Sequence, residues 1–91
     1  MNFSTPTLVI NKTISLNNLD RMIDVAKKNN LALRPHFKTH QSIEIGNWFK
    51  EKGITSITVS SISMAEFFSS EWNDILIAFP LNILEIDKLN L

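Results

Sequence analysis

A chain of 91 residues, 44% hydrophobic and 20% charged, belongs to the globular class and fits one domain with a modest core. Its nine Lys and Arg balance nine Asp and Glu and are scattered along the chain, so the electrostatic footprint of a nucleic-acid binder is missing. The longest apolar run, 75–81, is broken by Pro80 and falls far short of the ~20 residues that span a bilayer, which argues against a membrane protein. With no Cys there is neither a disulfide framework nor a thiolate metal site, and MNFSTPTLVI does not read as a secretory signal, so the expected location is cytoplasmic.

Residues 7–11 (TLVIN) form a short β-branched run that predicts a first strand. From Ser15 the period becomes helical, with Leu16, Leu19, Met22, Ile23 and Ala26 on one side, Ser15 as N-cap, and Lys27 and Lys28 in the last turn. Asn29 and Asn30 stop this helix, and 31–35 then reads as a buried strand. After a polar stretch, Ser42 caps a second helix that runs to Lys52 and ends at Gly53, carrying Ile45, Trp48 and Phe49 towards a core. Residues 54–60 (ITSITVS) predict a strand with Ile57 and Val59 on one face. A third helix starts near Ser63, where Ser63 and Glu66 form a capping-box pattern and Met64, Phe67 and Phe68 supply the buried side. Asn73 and Asp74 make a turn before a strand over 75–79 (ILIAF), and Asn82 with Glu85 marks a further helix start.

The polar stretch is residues 34–40, RPHFKTH, which gathers Arg34, His36, Lys38, Thr39 and His40 at a predicted strand end. A lysine that forms an imine must be positioned and deprotonated, and a Lys flanked by two imidazoles suits that work. Taken alone, a lysine is usually a solvated surface residue. His36 and His40 have the spacing of a zinc-binding helix, but Pro35 and the strand context oppose a helix and Phe37 stands where a zinc protease needs Glu, so no metal site is expected. Arg34 is as well suited to anchor the strand end as to touch a cofactor. Ser60 and Ser61 read as helix-entry residues, Glu66 as a cap acceptor, and Trp48, Phe49, Phe67 and Phe68 as core.

Strand and helix alternate four times, which implies parallel strands joined by right-handed crossovers. A flavodoxin-like or Rossmann sheet would begin this way too. The dinucleotide fingerprint is absent, however, since Gly46 and Gly53 are the two glycines of the chain. In a (β/α) barrel the C-terminal strand ends carry the site, which would put Lys38, His40, Ser60, Ser61 and Phe79 on one rim.

RPHFKTH closely resembles the RPHxKTH motif of the D-threonine aldolase and D-serine dehydratase group, pyridoxal phosphate enzymes with the alanine-racemase type of barrel. TPTLVIN resembles the opening strand of that group, ITVSSISMAE its second motif and NDILIAFP its next strand, in order and properly spaced. Met64 and Asn11 depart from the group, standing where acidic residues are common. The resemblance implies that Lys38 carries pyridoxal phosphate covalently, with His36, His40 and Arg34 around the cofactor. It also implies a β-hydroxy D-amino acid substrate, cleaved retro-aldol or, for D-serine, dehydrated and deaminated. A divalent metal assists in such enzymes, and none of its ligands is expected among these residues.

A full barrel needs about 250 residues. Residues 1–91 therefore read as the first few βα units of a truncated (β/α)8 TIM-type barrel, of the kind found at the N-terminus of alanine racemase. Such a piece is expected to lack turnover and to self-associate through an apolar strand such as ILIAF. A pyridoxal phosphate-binding module without turnover and an inactive relic are the alternatives.

Overall fold

The computed structural model describes residues 4–80 and 83–90. Helix α1 (Lys12–Lys28) begins earlier than its apolar period suggests, because Asn11 and not Ser15 is the N-cap. Asn11 Oδ1 accepts from the Ile14 N–H at 3.0 Å, and Ser15 lies inside the first turn with its hydroxyl donating to the Asn11 carbonyl. Asn and Ser cap about equally well, and capping at Asn11 adds a turn to the helix. The helix ends in a Schellman motif: Asn30 takes a left-handed φ of 55°, and the Leu31 and Asn30 N–H groups donate to the carbonyls of Ala26 and Lys27.

The strand predicted over 7–11 is not formed. Leu8 and Val9 are well exposed, and no strand among the described residues pairs with them. The strand predicted over 31–35 narrows to one parallel bridge, His36 opposite Thr58, with the Thr58 N–H donating to the Pro35 carbonyl at 2.8 Å. Pro35 has no N–H to extend the ladder.

Helix α2 (Ile43–Glu51) is capped by Ser42 as expected and closes at Gly53, whose φ of 90° favours glycine. Strand β1 (Ser56–Val59) pairs in parallel with β2 (Asp74–Ile77), Ser56 opposite Asp74 through Val59 opposite Ile77. Between them α3 (Ile62–Phe68) is capped by Ser61 rather than Ser63, the Met64 N–H donating to Ser61 Oγ at 3.1 Å. No capping box forms, since Met64 occupies the third helical position where Glu or Gln would reach back. Asn82 lies outside the described residues, and Ile83–Asn90 is a 3₁₀ run.

Strand alternation sorts the two faces of this small sheet. Ile57, Val59, Ile75 and Ile77 face a core made with Phe37, Ile54, Phe68 and Trp72. Ile23 and Leu33 pack on that core, as do Ile43 and Phe49 of α2 and Met64 and Ala65 of α3. All three helices therefore serve one face, and the other carries Ser56, Thr58, Asp74 and Leu76. A doubly wound sheet would need helices and apolar residues on both faces, and the described residues do not have them. Phe67, expected in the core, is half exposed, and its place is taken by Trp72, four residues beyond Phe68.

Candidate active site

Residues 34–40 are built as a turn with Lys38 at its crest. Arg34 lies at the base: its Nη1 donates to the Ile57 carbonyl at 2.8 Å and its Nη2 to Asp74 Oδ1 at 2.6 Å. The bridge of His36 to Thr58 follows, and the Phe37–Thr39 segment then makes a 3₁₀ turn whose N-cap is His36. His36 Nδ1 accepts the Lys38 backbone N–H at 3.1 Å, which leaves the proton of the neutral ring on Nε2. Phe37 is fully buried, its ring edge-on to His40, Phe49, Phe68 and Trp72 at centroid distances of 4.4 to 5.3 Å. Full burial of a phenyl ring contributes about 1.5–3 kcal/mol and pins the turn from below.

His40 is directed into the protein. Its ring stacks on Phe49 at 5.5 Å, Nδ1 pairs with Thr39 Oγ1 at 3.2 Å, and Nε2 is buried without a hydrogen-bond partner. Desolvation lowers the pKa of this imidazole below its ordinary 6.5, which favours the neutral ring. Lys38 differs from all of these. It is exposed, and its ammonium has no hydrogen bond, ion pair or aromatic contact among the described residues. Lys27 shares that condition, whereas the other cations are engaged, for example Lys50 with Glu71, Lys52 with Asp20, and Lys12 over Trp48.

Because the 34–36 segment, β1 and β2 run parallel, Lys38, Ser60, Ser61 and Phe79 all follow C-terminal strand ends. The structure thus brings Lys38 and His36 together at that rim. Arg34 instead bonds Asp74, the first residue of β2, at the opposite end, and His40 joins the edge of the core. The serines are engaged locally, Ser60 Oγ with Met64 Sδ at 3.2 Å and Ser61 as the α3 cap. A cleft of about 620 Å³ is lined by residues including Ser60, Ile62, Ile77, Phe79 and Leu89, and Lys38 borders none of the described cavities. No cluster of three metal-ligating side chains occurs among the described residues, and no helix among them is long and apolar enough to cross a membrane.

Phe37, Gly46 and Trp72 are the structural residues of this site that sequence reasoning passed over. Two signals pointed to them: Phe37 is the one large apolar side chain in a polar motif, and Trp72 continues the four-residue spacing from Phe68.

Parallel strands with helices on one face make an α/β unit that carries a lysine-bearing turn at its strand-end rim. No family model matches the chain. It is 36% identical over 104 aligned positions to D-serine dehydratase of Dictyostelium discoideum, which covers 98% of this chain and 26% of that protein. It is 34% identical over 82 positions to D-threo-3-hydroxyaspartate dehydratase of Delftia sp. (strain HT23), covering 89% of this chain and 22% of that one. The chain belongs to the D-serine dehydratase / D-threonine aldolase family and spans about a quarter of the length of these curated relatives.

Proposed function

We propose that this chain is part of a pyridoxal phosphate-dependent lyase acting on β-hydroxy D-amino acids, with Lys38 as the residue that carries the cofactor covalently. The observation that supports this most is the contrast inside RPHFKTH. Its other polar side chains are engaged in hydrogen bonds, and its lysine amine is exposed and unpaired. An amine in that condition fits an aldehyde cofactor, which supplies an electron sink for a carbanion at the substrate Cα. The chain's own residues then have separable roles. Arg34 holds the motif against β1 and β2, Phe37 seats the turn, His36 caps it, and Lys38 offers its nitrogen at the rim. The one-sided helix layer supports the first βα units of an alanine-racemase-type (β/α)8 barrel, whose inner face is sheet alone.

Between the two reactions, dehydration is the better supported. Both relatives are named as dehydratases, and both named substrates carry a hydroxyl at the β carbon. The chain spans about a quarter of the length of the named relatives, so the activity is proposed for the whole protein.

Mixing the chain with pyridoxal phosphate tests the reading. A visible absorption band, fixed by borohydride as an added mass on Lys38 and lost in Lys38→Ala, supports it. Equal labelling of all lysines, or none, overturns it. Pyruvate formation from D-serine, against glycine formation from D-threonine, by the full-length protein separates dehydratase from aldolase.

A further inference from the structure

The bond between His36 and Lys38 carries a consequence of its own. His36 Nδ1 faces the backbone N–H of the residue two positions on, the geometry of an N-cap, with His36 itself extended at φ −90° and ψ 126°. On either side the chain is fixed, since the Pro35 carbonyl accepts from the Thr58 N–H and the Phe37 ring is locked among four aromatic neighbours. Lys38 comes next and has no fastening of its own except that cap.

We infer that His36 is a positioning residue that fixes the direction in which Lys38 leaves the rim by capping its turn, and that it does not act by touching the cofactor or substrate. This rests on Lys38 being the cofactor lysine. An imidazole with Nδ1 committed to a backbone amide behaves as a cap oxygen would, so Asn, whose Oδ1 reaches the same amide, replaces it. Alanine does not.

The test compares the 91-residue chain with His36→Ala and His36→Asn. Amide hydrogen exchange at Lys38, followed by NMR, is expected to quicken about tenfold in His36→Ala, the population change that loss of a cap produces, and to return near the original rate in His36→Asn. The yield of borohydride-fixed pyridoxal phosphate on Lys38 follows the same order. The absorption maximum of the adduct is the same in His36→Asn as in the original chain, since no contact to the cofactor has been lost.

An adduct yield in His36→Ala equal to the original overturns the inference, as does a shifted maximum or lost yield in His36→Asn with exchange restored. Thermal melts of both variants identify unfolding, and a His36→Ala chain that is folded by this measure but shows unchanged Lys38 exchange also overturns it. If the exchange order holds while the original chain takes up no cofactor at Lys38, the cap stands and the lyase reading fails.

Discussion

Arg34 and Asp74 are 40 residues apart in sequence, and the guanidinium Nη2 of one lies 2.6 Å from the carboxylate Oδ1 of the other. The same guanidinium donates to the Ile57 carbonyl, so one side chain ties the motif segment to both strands at the end of the sheet away from Lys38. Its side chain is about two-thirds shielded, whereas that of Asp74 is mostly exposed. Removing the arginine therefore costs more than removing its partner. Arg34→Ala is expected to lower unfolding stability by about 1–2 kcal/mol, as loss of charge-assisted hydrogen bonds does. Asp74→Ala, which deletes a largely solvated ion pair, costs less than about 1 kcal/mol. Urea unfolding of both variants checks the order, and equal losses would show that the carbonyl bond contributes nothing.

Gly46 in α2 faces Phe37. A Cβ at that position would lie 3.1 Å from Phe37 Cε2 and 3.6 Å from Trp72 Nε1. Alanine in a helix interior ordinarily gains about 1 kcal/mol over glycine. Here the ring it meets is fully buried among other rings and must give by a few tenths of an ångström, and overpacking of that kind costs about 1–3 kcal/mol. Gly46→Ala is expected to be destabilising by about 1 kcal/mol net and to disturb the turn that carries Lys38. A melting temperature at or above that of the original chain would mean that Phe37 moves freely.

The helices were legible in the sequence because their signals are local. Ser42, Gly53 and the Asn29–Asn30 stop fall where the structure has them, and the Ile57 and Val59 alternation marks the buried face of β1. What failed to read depends on neighbours distant in sequence. The apolar run over 7–11 has the composition of a strand, yet pairing requires a second strand, and none of those described lies beside it. At α1 and α3 the expected caps, Ser15 and Ser63, gave way to residues upstream of them, Asn11 and Ser61. In the motif, the sequence left Arg34 evenly between anchoring the strand end and touching a cofactor, and grouped His36 and His40 with Lys38. The structure shows Arg34 and His40 fastened by contacts with residues up to 40 positions away, which no local pattern announces.

Beyond the core, β2 presents an edge that no strand among the described residues covers, with Leu76 and Phe79 more than half exposed. Unpaired backbone beside apolar side chains templates pairing with another chain. Sedimentation of the 91-residue chain is expected to show concentration-dependent association that Leu76→Lys and Phe79→Lys together reduce. A monodisperse monomer across the whole concentration range would contradict this.

His40 makes stability depend on pH. Its pKa in the folded protein is lowered by desolvation, so the folded chain binds that proton less readily than the unfolded chain does. Stability from the neutral ring is therefore complete above the ordinary value of 6.5. It declines as pH falls through 6.5 towards the lowered folded value, below which both states are protonated and the loss levels off. Protonation also places a charge at a buried Nε2 that has no hydrogen-bond acceptor, beside the rings of Phe37 and Phe49. Because those rings make an aromatic seat, His40→Phe keeps the packing and removes the titration. Urea midpoints measured through this window are expected to fall with acidification in the original chain and to fall less in His40→Phe. Parallel curves for the two chains would mean that His40 keeps access to water when charged and takes no part in the acid response.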